Sequence, residues 1–175
     1  RLLKLSVLIR PGSLKTLKKA KFNGCDFLSL NFGKLSKAME KFLGKWKSTK
    51  VENFDNFMKA MDVGFILRKA AAMATVYLDY QKADDGTWII DWQLAFKKGQ
   101  IRFQLGQEID AVLPDDRSVR LVPDFDPATG RYSELQKGKP HDVKVERWIT
   151  EDGEMQELVK IIDKDVQYTR VYERY

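Results

Sequence analysis

Residues 39–175 read as an all-β domain, an antiparallel meander that closes into a barrel or stacks into a sandwich. Three observations predict this. Short runs of alternating polar and apolar residues recur through the stretch. Turn-forming residues separate them at near-regular spacing, and helical periodicity is confined to one interval near the beginning. At 175 residues a single domain with a substantial core is the ordinary expectation.

The first strand surrounds Gly44-Lys45-Trp46-Lys47. From 53 to 73 the period changes: Phe54, Phe57, Met58 and Met61 fall near i, i+3, i+4 and i+7. Asn53 is placed to cap this helix, and Asp55 sits in its first turn, near the positive end of the dipole. Val63-Gly64 interrupts it, and a second short helix is expected over 65–72 with Arg68-Lys69 on its exposed side. Strands follow at 75–80 and 87–92, joined through Ala83-Asp84-Asp85-Gly86, and then at 93–96, 101–105, 108–112, 118–122, 131–136, 143–149, 155–162 and 166–172. The turns between them carry Lys98-Gly99, Pro114-Asp115-Asp116, Asp126-Pro127-Ala128-Thr129-Gly130, Gly138-Lys139-Pro140, Asp152-Gly153 and Asp163-Lys164-Asp165. A helix pair between the first two strands of a barrel makes a natural lid for one open end.

The net charge of +6 misleads. Residues 1–38 hold nine Lys/Arg against one acidic residue, whereas residues 39–175 hold 22 against 24. The basic leader also holds Cys25, the lone cysteine. Leu5 to Ile9 is too short and too tightly flanked by Lys4 and Arg10 for a signal-peptide core, and Leu14 to Lys21 makes a basic amphipathic turn or two. Met39-Glu40-Lys41-Phe42 looks like a natural start, so residues 1–38 are expected to be a disordered or artefactual extension of a domain over 39–175.

Enzyme classes find little footing. The body has one histidine, His141, in a turn, no cysteine, no nucleophile elbow and no Gly-rich phosphate loop. Metal sites built from His and Cys are excluded by count. A nucleic-acid or polyanion-binding barrel is a second class, motivated by the basic leader and by aromatic residues such as Trp88 and Trp92. Its attraction is weakened because the charge lies outside the body.

The last strand ends in Arg170-Val171-Tyr172. Residues two apart share a strand face, so a guanidinium and a phenol stand together as a receptor for a carboxylate. Parity alone leaves open whether that face looks outward to solvent or inward.

Ordered blocks settle the expectation. Phe42-Leu43-Gly44-Lys45-Trp46-Lys47, Glu52-Asn53-Phe54-Asp55-Asn56-Phe57-Met58-Lys59, Val63-Gly64-Phe65-x-x-Arg68-Lys69, Phe103-x-x-Gly106-x-Glu108-x-Asp110 with Asp115-Asp116-Arg117-Ser118-Val119, and Thr169-Arg170-Val171-Tyr172-Glu173-Arg174 together resemble the intracellular lipid-binding proteins. That family includes the fatty-acid-binding, myelin P2 and cellular retinoid-binding proteins. The resemblance implies an all-β, ten-stranded antiparallel up-and-down barrel, lipocalin-like, with a two-helix lid between the first and second strands. It implies a lipid inside, its carboxylate held by Arg147, Arg170 and Tyr172. It further implies a cavity or portal lined by Phe54, Met58, Val63, Ala71 and Phe96, with Asp115 and Arg117 on its polar side. Two arginines, where retinol-binding members tend to have glutamine, favour an acidic ligand over an alcohol.

The implied protein is a non-enzymatic, monomeric carrier of a long-chain fatty acid, or alternatively retinoic acid or another hydrophobic carboxylate. It needs no cofactor and no metal, binds no nucleic acid, and works in the cytoplasm and, as an extension, the nucleus. Lys59, Arg68 and Lys69 on the lid would meet an anionic membrane during transfer or form an import surface. Burial is worth about 0.8 kcal/mol per CH₂, so a ~16-carbon tail offers on the order of 10 kcal/mol before association costs. The arginines then supply orientation and head-group selectivity.

Overall fold

A computed structural model describes residues 37–95 and 97–175. The leader expected over 1–38 therefore lies outside the described residues except for Lys37 and Ala38, and so does Phe96.

The chain enters through a short 3₁₀ turn, Glu40–Phe42, and then forms β1 (Gly44–Glu52). Helices α1 (Phe54–Ala60) and α2 (Phe65–Ala72) follow. Nine strands complete the fold: β2 (Val76–Lys82), β3 (Trp88–Leu94), β4 (Lys97–Phe103), β5 (Ile109–Val112), β6 (Ser118–Asp126), β7 (Arg131–Lys137), β8 (Val143–Ile149), β9 (Met155–Ile161) and β10 (Gln167–Arg174). Every pairing is antiparallel. The sheet order is β4-β3-β2-β1-β10-β9-β8-β7-β6-β5, so the first and last strands close the barrel on one side and β4 and β5 face each other unpaired on the other.

Alternation decides what points inward. Val76, Leu78 and Tyr80 on β2, Val119, Leu121 and Phe125 on β6, and Met155, Val159 and Ile161 on β9 are all buried. One end is filled by an aromatic floor of Phe42, Trp46, Tyr80, Phe103, Phe125 and Tyr132, with Met39 beneath it at 0% exposure. Trp46 Nε1 donates to the Phe42 carbonyl at 2.8 Å, which answers the buried indole N–H. Arg174 donates to the carbonyls of Leu43 and Lys41, both at 2.7 Å, tying the end of β10 under that floor. At the opposite end, Phe57 of α1 and Met61, just past its C-terminus, pack onto Val143, Val145, Val159 and Ile161. The lumen between floor and lid is where the site sits.

Three local expectations change. Residues 93–96 are not a separate strand: β3 runs on to Leu94, and the chain reverses at Ala95, whose φ is 50°. Gly99 is therefore not a turn residue. It lies inside β4 opposite Trp92, where a Cβ would stand 2.4 Å from the indole ring, so the large side chain demands the small one. Asn53 does not cap α1 through its side chain; its backbone is left-handed (φ 60°), its amide donates to the Gln167 carbonyl at 2.6 Å, and its oxygen accepts from Asn56. The residue anchors the lid to β10 instead.

Candidate ligand site inside the barrel

Arg170 and Tyr172 face inward, at 8% and 1% exposure. Their parity is fixed from both sides: β10 lies between β1 and β9, and the outward places go to Thr169, Val171 and Glu173. The Arg170 guanidinium lies 5.1 Å from the Phe54 ring of the lid and 5.5 Å from that of Tyr168. Among the described residues no carboxylate comes within 4.0 Å of it. Burial works against its charge, but Tyr172, Tyr168 and Glu157 more than offset that and keep it protonated.

Arg147 is also inward, but it has a partner. Its Nε donates to Glu157 Oε2 at 2.8 Å and its Nη1 to the Tyr80 hydroxyl at 3.1 Å. The guanidinium stands 5.7 Å from the centre of the Tyr132 ring. The turn after β8 does not disturb this placement: Arg147 is opposite Glu157 in the β8–β9 register, and Glu157 is opposite Arg170 in the β9–β10 register. One row across three strands thus reads cation, anion, cation.

Glu157 is 3% exposed. Its other oxygen accepts from Tyr172 at 3.3 Å and from Tyr168 at 3.4 Å. Burial pushes its carboxyl up, but the charges of Arg147 and Arg170, with hydrogen bonds from Arg147 and Tyr172, outweigh burial and hold it below the ordinary value. Next to it, burial pushes the Tyr80 hydroxyl up to about 12 against the opposing charge of Arg147. A second buried carboxylate, Glu134, accepts from the Tyr132 hydroxyl at 2.6 Å and from Gln136 Nε2 at 2.7 Å.

The polar side continues to Arg117, whose Nε pairs with Asp115 at 2.7 Å and whose Nη2 reaches Gln136 at 3.4 Å. Its Nη1 is buried with no hydrogen-bond partner. Met58 and Val63 are half-buried against the α1 cluster. Phe54 is edge-on to Tyr168 at 5.1 Å, and Ala71 is half-buried on α2. Of the three lid cations, Lys59 and Lys69 are exposed, Lys69 lying 3.7 Å from Asp55, whereas Arg68 is partly buried and drawn onto the Val63 carbonyl at 3.0 Å and the Asp55 carboxylate at 3.2 Å. That hydrogen bond, foremost, holds the Asp55 carboxyl below its usual range.

Sequence reasoning missed Glu157, Glu134, Gln136 and three tyrosines. The signal for Glu157 was present: in Met155-x-Glu157-x-Val159-x-Ile161 a period of two puts the carboxylate on the apolar, inward face. On β7 the inward set is Tyr132, Glu134 and Gln136, with Leu135 turned away from the lumen. No apolar alternation marks that strand's direction. Of the aromatic pair behind the nucleic-acid alternative, Trp88 is 2% exposed and Trp92 is half-buried. His141 sits at an outer turn, 2.8 Å from Asp163.

A lipid-binding barrel is the class this arrangement defines, and comparison with known proteins agrees. The profile of the lipocalin / cytosolic fatty-acid binding protein family matches residues 43–173. Sodium/calcium exchanger regulatory protein 1 of Doryteuthis pealeii is 35% identical over 131 residues, 75% of this chain and 94% of that protein. Fatty acid-binding protein homolog 6 of Caenorhabditis elegans is 36% identical over 116 residues, 65% of this chain and 84% of that one. Among solved structures, the Schistosoma mansoni fatty acid binding protein in complex with arachidonic acid superposes with a TM-score of 0.70 at 25% identity, covering 79% of this chain and 98% of that one. The chain belongs to the lipocalin / cytosolic fatty-acid binding protein family.

Proposed function

We propose that this chain is a non-enzymatic carrier that binds a long-chain fatty acid, or a similar hydrophobic carboxylate, inside the barrel and passes it between membranes. One observation carries the reading. Arg170 is a buried cation aimed into the lumen, with no carboxylate in ion-pairing range among the described residues. A buried guanidinium without a counterion is costly, and a ligand carboxylate supplies one with bidentate, charge-assisted bonds. The Tyr172 and Tyr168 hydroxyls stand beside it, and Phe54 closes over it from the lid. Arg147 belongs to the same row, where it neutralises the buried Glu157 carboxylate. The similarity to fatty acid-binding protein homolog 6 of Caenorhabditis elegans and to the arachidonic-acid complex of the Schistosoma protein supports a fatty acid as ligand.

Delivery to a membrane is supported by the lid's outer face. Phe65, Ile66, Leu67 and Met73 are 63%, 81%, 67% and 88% exposed, beside Lys69 and near Lys59. Apolar side chains flanked by lysines suit an anionic lipid surface. With Arg68 engaged by Asp55, the apolar content of this face favours a membrane over an import receptor. No helix among the described residues is long and apolar enough to cross a membrane.

The test is displacement of a fluorescent fatty acid from the wild type and from Arg170→Gln. Loss of one charge-assisted contact should weaken binding by about 10- to 100-fold. Unchanged affinity in that variant removes Arg170 from the site and the reading with it.

A further inference from the structure

The two arginines expected to share a ligand's carboxylate are not equivalent, because the protein places a carboxylate of its own between them. We propose that Glu157 sets the charge of the head-group site, so that the barrel accepts a lipid bearing a single negative charge and rejects a dianionic head such as a phosphate monoester. This rests on the reading of the lumen as the seat of a lipid head group, and it adds the residue that limits which head groups fit.

Glu157 lies opposite Arg147 on one side and Arg170 on the other, in registered antiparallel pairs. All three side chains point to the lumen. Glu157 takes the Arg147 Nε bond at 2.8 Å, and its second oxygen occupies the hydroxyls of Tyr172 and Tyr168. The row therefore offers a ligand one net positive charge rather than two. A monocarboxylate on Arg170 completes an alternating row of four charges with nothing left over. A second negative charge would lie buried without a partner.

Among the described residues, nothing else facing the site supplies a compensating cation. Arg117 is matched by Asp115, and the remaining buried carboxylate, Glu134, adds negative charge, held by the neutral donors Tyr132 and Gln136. The same row explains why Arg147 is needed although it is already paired: without it Glu157 would be an uncompensated buried anion beside the incoming head group.

The experiment is competition against a bound fluorescent fatty acid on the full chain at about pH 8, where a phosphate monoester is largely dianionic. The competitors are palmitate, hexadecanol and hexadecyl phosphate, which share one tail. The wild type should take palmitate about tenfold more tightly than hexadecyl phosphate. Glu157→Gln should raise the phosphate-to-carboxylate affinity ratio by about tenfold. The double variant Arg147→Met/Glu157→Gln, which leaves Arg170 as the row's only charge, should return the phosphate-to-carboxylate affinity ratio to the wild-type value. It also serves if the single variant does not fold, since removing both members of a buried pair is far milder than removing one.

Three results overturn the proposal: a wild type that takes the phosphate as readily as the acid, a Glu157→Gln ratio equal to the wild type's, or a double variant whose ratio stays at the Glu157→Gln value. A wild type that retains no fatty acid at all is a different failure, that of the carrier reading.

Discussion

Gly99 and Trp92 show how one residue's size is dictated by another across a strand pair. The Cβ of any larger residue at 99 would stand within 2.4 Å of the indole, and β4 is held in register with β3 on both sides of the contact. Gly99→Ala should therefore cost about 1–3 kcal/mol, read as a lowered urea midpoint with an altered tryptophan emission. Sequence gave a glycine after a lysine pair, which is an ordinary turn signal; only the register reveals a packing role. Arg147 and Glu157 repeat the lesson with charge. Arg147→Gln leaves Glu157 buried without its main counterion, so it should destabilise by about 3 kcal/mol, more than Arg170→Gln, whose guanidinium has no carboxylate in pairing range. Comparing the two variants by urea unfolding without ligand checks this.

Among the elements, α2 is the one whose bounds the sequence conveyed and whose orientation it did not. The helix runs over Phe65–Ala72 as its spacing predicts. None of its residues is fully buried, and the apolar Phe65-Ile66-Leu67 run faces solvent. Three consecutive apolar residues span too wide an arc of a helix to face one core, so part of that exposure was readable. The draw of Arg68 toward Asp55 was not, because it depends on how α2 packs against α1. Replacing Ile66 and Leu67 by serine should leave fatty-acid affinity within about twofold of wild type, since these side chains sit outside the lumen, while slowing transfer to anionic vesicles by about tenfold. Stopped-flow transfer to vesicles containing phosphatidylserine measures it; an unchanged rate would place the membrane contact elsewhere.

At the scale of the whole molecule, alternation and turn residues conveyed an antiparallel meander of short strands and a lid, while the count of ten and the closure of β1 onto β10 came only with the resemblance. Buried polar groups went unread because a half-polar inner face looks like an outer one. Those groups give the barrel a characteristic response to base. Tyr80, Tyr132, Tyr168 and Tyr172 all have hydroxyls raised above their ordinary value by burial, Tyr80 to about 12. A raised folded value means the native state keeps protons that the unfolded chain releases. Their contribution is complete below about pH 10 and is lost as pH rises beyond it, at up to about 5 kcal/mol per pH unit for four groups. Urea midpoints from pH 8 to 12, followed beside tyrosinate absorbance, should fall steeply above about pH 10, with ionisation and unfolding coincident. Glu157 acts in the opposite sense. Its lowered value makes its contribution complete above about pH 4.5 and lost as pH falls below it.

The unpaired seam between β4 and β5 leaves two rows of backbone donors and acceptors open to a neighbouring chain. Sequence guards both. β4 carries exposed Lys97, Lys98 and Arg102 along its edge, and β5 is only four residues long. Lys97 also reaches across the seam to Asp116, in the turn that leads from β5 to β6. Replacing Lys97 and Lys98 by threonine should turn that edge into a template for strand addition, with higher oligomers appearing by light scattering as concentration rises. What looks like an incomplete barrel is thus also the place where this chain must resist polymerising with itself.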